Sequence, residues 1–169
     1  MKCTSAEAAK LLRKLNDEYN ALLLKEEQSK SFLAAMGEDV ESVRPQYDYA
    51  ETQRKLSELE DKIRKLKHSI NLFNANFLIA DFNMTIDEML IYIPQLTKRK
   101  TKLYEMKSKL PKTREDDRYG RHSNIIDYRY SNYDIDAVTE DYLKVADQLA
   151  KAQTALDVVN NTQYFEIDF

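Results

Sequence analysis

Apolar residues recur along this chain at alternating spacings of four and three, the mark of a helix that buries one seam. From Ala8 the series runs through Leu12, Leu15, Tyr19, Leu22, Glu26, Ser29, Leu33 and Met36, and it stops at Gly37, a residue suited to end a helix. Thr4-Ser5-Ala6-Glu7 in front of it is a capping box, in which threonine and glutamate satisfy each other's orphan amides. Together these predict a first helix over about residues 5–36. Glu26 and Ser29 occupy seam positions where leucine is expected. Polar seam residues can fix register or open a cavity, but the expectation here is solvent at a splayed end.

A second series, Tyr49, Thr52, Leu56, Leu59, Ile63, Leu66, Ile70, Phe73 and Phe77, keeps the spacing without a break. It follows a connector over 38–47 that holds Pro45, and Asp48 can cap it, predicting a helix over 48–77. These two helices are expected to form an antiparallel hairpin. Ala80–Met84 turns the chain, and Thr85-Ile86-Asp87-Glu88 is a second capping box. Ile86, Met89, Leu90, Ile93, Leu96, Leu103, Met106 and Leu110 then predict a third helix over 86–110. Pro94 falls inside it, predicting a kink or two separate helices. Val138, Tyr142, Val145, Leu149, Ala152, Leu156 and Val159 predict a fourth helix over 135–161, capped by Asp134 or Asp136.

The segment 111–134 is predicted to be mostly irregular. Ile126, Tyr128 and Tyr130 alternate with polar residues, as do Phe165, Ile167 and Phe169 near the C-terminus. Each reads as a short strand, and the two are expected to pair beside the helices. The predicted fold class is therefore mainly α. A single helical domain over 1–169 is expected, with long antiparallel helical hairpins forming an elongated four-helix bundle or coiled coil and a small two-stranded β element.

Composition narrows this picture. Two Gly and three Pro, with 43% hydrophobic and 33% charged residues, leave few turns to distribute, which excludes a sandwich or barrel. Cys3 is the only cysteine, so no disulfide forms within the chain and a reducing, cytoplasmic setting is expected. The first residues lack the apolar core of a secretion signal, and the longest apolar runs fall far short of the roughly 20 residues of a membrane span.

Enzyme chemistry finds no foothold. With glycine only at 37 and 120 there is no phosphate-cradling loop and no dinucleotide fingerprint. The Glu-x-x-His pair of a di-iron bundle is missing, because Lys65 precedes His68 and Tyr119 precedes His122 by three residues. His68 and His122 read as solvated, and Cys3 as an unpromising nucleophile. No catalytic residue, metal or cofactor is expected. Asn71, Asn74, Asn160 and Asn161 close the second and fourth helices and form a candidate structural polar cluster.

Charge supplies the best binding candidate. Residues 98–121 carry a net charge of +6, whereas 134–169 carry −6. Lys98, Arg99, Lys100, Lys102, Lys107, Lys109, Arg118 and Arg121 are candidates for binding nucleic acid or a protein partner, with Tyr128-Arg129-Tyr130 able to stack bases. A solvated helix face competes with this reading, and a pI near 5.5 argues against nucleic acid as the main partner.

Ile70-Asn71-Leu72-Phe73-Asn74, then Met84-Thr85-Ile86-Asp87, then Ala146-Asp147-Gln148-Leu149-Ala150-Lys151 spaced before Leu156-Asp157 resemble the motifs of the septicolysin-like family of small bacterial proteins of unknown function. The chain departs from that pattern at Asn160-Asn161 and Tyr164-Phe165. The resemblance implies no catalytic residues, and the family's name implies a membrane-active, cytolysin-like role. The leading expectation is a cytoplasmic helical interaction or scaffold protein that forms homo-oligomers. An RNA-binding protein using the basic third helix is the alternative, and a membrane-active protein is the third.

Overall fold

The computed structural model describes residues 1–115 and 127–168. It is mainly α-helical, and its backbone contacts divide into two compact units, Met1–Phe77 with Asp157–Phe169, and Leu78–Leu156.

In the first unit, β1 (Lys2–Thr4) leads into α1 (Ser5–Ser29), a short α2 (Val40–Val43) lies in the connector, and α3 (Tyr49–Asn76) returns antiparallel to α1. The predicted capping box is present, with the Glu7 N–H donating to Thr4 Oγ1 at 3.2 Å and the Thr4 N–H donating to Glu7 Oε2 at 2.9 Å. Asp48 caps α3, accepting from the Glu51 N–H at 3.0 Å. The seam is buried or half-buried from Ala8 to Ser29 and from Thr52 to Phe77. Ala8, Leu15 and Leu66 pack with Cys3 and Ile167, flanked by Leu11, Leu12, Leu59, Ile63, Ile70 and Phe165.

The first helix stops seven residues before the predicted end at 36. Its closing bond is the Lys30 N–H to the Glu26 carbonyl at 2.8 Å. Beyond it, Leu33 is 96% exposed and Met36 is fully exposed. Helix continued there would order backbone at about 1–2 kcal/mol per residue with no burial to offset it. Gly37 does adopt the left-handed conformation (φ 89°), but it shapes a turn closed by the Glu38 N–H to the Ala35 carbonyl rather than ending α1.

The second unit begins with a tight hairpin, β2 (Leu78–Ile79) against β3 (Met84–Thr85), turned through Asn83 at φ 49°. Asparagine tolerates that conformation better than most residues. α4 (Ile86–Lys107) follows as one helix, not two, with Pro94 inside it. The bond Pro94 cannot make is to the carbonyl of Leu90; both residues are exposed, so water can take the amide's place. Then come β4 (Lys112–Arg114), β5 (Tyr128–Tyr130) and α5 (Ile135–Thr162), whose last turns belong to the first unit with β6 (Tyr164–Glu166). α4 buries Ile86, Met89 and Leu96, and α5 buries Val138, Val145, Leu149, Ala152, Leu156 and Val159. Asp134 caps α5 by accepting from the Asp136 and Ala137 amides.

The strand pairing differs from expectation. The segments around Tyr128 and Phe165 do form strands, but not with each other: β5 pairs with β4, and β6 with β1. The partners Lys2–Thr4 and Lys112–Arg114 are three residues long, too short to display an alternating pattern in sequence. Ile126 and Phe169 lie outside the described residues. Strand β6 stacks Phe165 on Phe73 with centroids 4.7 Å apart, and just beyond it Ile167 enters the core.

Candidate functional site

Two surfaces stand out, one in each unit. The first is the open end of the α1–α3 hairpin. Here the polar seam residue Glu26 is half-buried rather than splayed into solvent. It accepts from the Tyr47 hydroxyl at 2.6 Å and from the Gln53 amide at 2.7 Å. The carboxylate stabilises the neutral phenol, so the Tyr47 pKa is pushed up to about 12. Glu26 and Tyr47 line a recess of about 470 Å³ together with Leu22, Lys25, Ser29 and Thr52. Beyond it, Leu23, Leu24, Leu33, Met36, Val40 and Tyr49 are all exposed, a concentration of apolar surface at one end of the unit. The arrangement suits docking.

The second surface is the basic segment. Lys98, Arg99 and Lys102 are exposed on α4, Lys100 is half-buried, and Lys109 is exposed just past the helix. By helical periodicity Lys98 and Lys102 stand opposite buried Met89 and Leu96. Among the described residues none of these cations has an acidic partner in an ion pair. On α3 the pattern is the reverse: Arg54 bonds Glu51 and Glu58, Lys55 bonds Glu51, and Arg64 and Lys65 both bond Asp61. Lys107 instead sits over the Tyr142 ring at 4.2 Å and the Tyr104 ring at 5.5 Å, where it joins α4 to α5. That makes it a packing residue first, alongside the Tyr133 hydroxyl donating to the Met106 carbonyl at 2.8 Å.

The ribbon that follows α4 adds aromatic surface. Lys112 pairs in register with Tyr130, and Arg114 with Tyr128, so these four side chains share one face. All four are exposed. The Lys112 ammonium lies 4.0 Å from the Tyr128 centroid and 5.4 Å from that of Tyr130. Arg129, on the other face, is held by Glu115 through two bonds of 2.8 Å, which raise its pKa. The role of Lys112 as the bridge between two tyrosines is invisible to periodicity, since it depends on a cross-strand register. Arg118, Arg121 and His122 lie outside the described residues.

The four asparagines are not brought together by hydrogen bonds among the described residues. Asn71 and Asn161 are exposed, Asn74 and Asn160 half-buried, and the Asn161 amide donates to the Asp157 carbonyl one turn back. His68 is exposed beside a shallow groove of about 490 Å³ shared with Asn16, Tyr19 and Asn71. Among the described residues no cluster of His, Cys, Asp and Glu could hold a metal ion, and no helix is long and apolar enough to cross a membrane.

No family model matches the chain, and no curated protein does. Among solved structures, the chain is similar to a functionally unknown conserved protein from Corynebacterium diphtheriae known from its crystal structure. That likeness has a TM-score of 0.63 over 98% of this chain and 100% of that one, at 17% sequence identity. It supports the fold and says nothing about which residues act.

Proposed function

We propose that this chain is a non-catalytic helical interaction protein that self-associates through the open end of its α1–α3 hairpin. The observation that carries the reading is the exposure of Leu33 and Met36. They continue the seam's spacing from Ala8 to Leu22, yet they have no partner surface in their own unit. Residues 30–36 (KSFLAAM) contain neither Gly nor Pro, so nothing in their chemistry forbids helix. A second copy, placed about a two-fold axis, offers each seam end the same apolar surface in return. Burying Leu33 and Met36 would contribute about 1.5–3 kcal/mol per side chain on each protomer.

Sedimentation velocity over a concentration series tests this. The native chain is expected to shift from monomer to a discrete dimer, and a Leu33→Asp/Met36→Asp double variant to remain monomeric with unchanged helix content. A native chain that stays monomeric at every concentration would rule the reading out.

A further inference from the structure

From the second unit we infer a binding site for single-stranded nucleic acid, formed by one face of the β4–β5 ribbon and supplied with phosphate contacts by the basic face of α4. It is independent of the hairpin end in the first unit. The ribbon face carries Tyr128 and Tyr130 two residues apart on one strand, both exposed. Side chains so spaced stand about 6.6–6.8 Å apart along a strand, room for one base on each ring. Exposed aromatics on a strand are what stack successive bases in single-stranded recognition, and every base offers a π-face, so the contact is tolerant of sequence. Lys112 and Arg114 lie on the same face, cross-strand from the two tyrosines, where a bound backbone would need cations. The Lys112 ammonium lies 4.0 Å from the Tyr128 centroid, on one side of the ring, and a base would stack on the other side.

The charge pattern favours a polyanion over an apolar or acidic-peptide partner with discrete contacts. Lys98, Arg99 and Lys102 form no ion pair with any described acid, whereas Arg54, Lys55, Arg64 and Lys65 on α3 all do. A nucleic-acid strand carries condensed counterions, and unpaired cations of this kind release them when they neutralise its phosphates. A duplex fits less well. The ribbon's rings can stack only on bases that are already unpaired, so single strands or loops are the expected ligand.

Fluorescence anisotropy with a labelled oligouridylate of about a dozen nucleotides, titrated with the full chain in a potassium chloride series, tests the inference. Binding is expected to fall with salt at a log–log slope of about −0.7 per phosphate neutralised. A Tyr128→Ala/Tyr130→Ala variant should bind about tenfold or more weakly with its slope unchanged, and Tyr128→Phe/Tyr130→Phe should bind as the native chain does. A Lys98→Glu/Lys102→Glu variant should lower the slope by about 1.4. No binding at low salt would overturn the site. Binding unaffected by the alanine pair and equally well competed by heparin would overturn it too, leaving a mere ion-exchange surface.

Discussion

Leu66→Ala should be among the most damaging single truncations in the first unit. Leu66 is completely buried on α3, in the cluster that holds Cys3, Ala8, Leu15 and Ile167. Truncation removes three carbons, worth about 2.4 kcal/mol at roughly 0.8 kcal/mol per buried methylene. The cavity left behind adds to this, because Leu15 and Leu66 sit on rigid helices and Ile167 is tied by its N–H to the Met1 carbonyl at 2.8 Å. The total is expected near 3–4 kcal/mol, within the range typical of leucine-to-alanine changes in cores. Leu72 on the same helix is 51% exposed, so Leu72→Ala supplies the control, with a cost expected below about 1 kcal/mol. Urea unfolding followed by circular dichroism reads both. At a slope of about 2 kcal/mol/M, Leu66→Ala should lower the midpoint by roughly 1.5–2 M without changing the slope. Equal costs for the two variants would refute the assignment of this cluster as the core of the unit.

Other outcomes follow from local chemistry. Thr4→Ala and Thr85→Ala each remove a capping box hydroxyl and should each cost about 1 kcal/mol in the same unfolding assay, whereas Thr→Ser should largely restore stability. The Tyr47 pKa is raised by its bond to Glu26, from 10.0 to about 12. A phenol raised in the folded state stabilises it fully below pH 10 and loses that contribution as pH climbs toward 12. Tyr19, bonded to Glu60, is raised as well, so ultraviolet titration should find a late tyrosine component that Tyr47→Phe reduces without abolishing. Burial, with the Glu7 carboxylate adding to it, raises the Cys3 thiol pKa, so Ellman's reagent should label Cys3 slowly in the folded chain and rapidly in urea.

The long helices were legible because period and capping agreed. Thr4 and Glu7, Asp48, and Thr85 and Glu88 cap where their sequence pattern places them. The seam of α5 is buried or half-buried at every position from Val138 to Val159. What sequence hid was set by contacts across the chain. Residues 30–36 carry the right spacing for helix, yet no facing surface rewards it, so α1 ends early. Glu26 resembled a solvated end until Tyr47, 21 residues away, gave it a partner. The partner strands Lys2–Thr4 and Lys112–Arg114 carry no alternation of their own, so the β1–β6 and β4–β5 pairings emerged only from the fold. The basic run on α4 was plain in the sequence, but the alignment of Tyr128 and Tyr130 with Lys112 depends on the ribbon's register.

The most direct test of the proposed self-association places a spin label at the hairpin end. In a Cys3→Ser background, Met36→Cys carries the label, and Lys62→Cys, exposed on α3 about 20 Å from the start of that helix, serves as the comparison. Pulsed dipolar spectroscopy at a concentration where the dimer forms should give a short intermolecular distance for residue 36 and a much longer one for residue 62. A dimer with no coupling at residue 36, or with the shorter distance at residue 62, would contradict association through Leu33 and Met36.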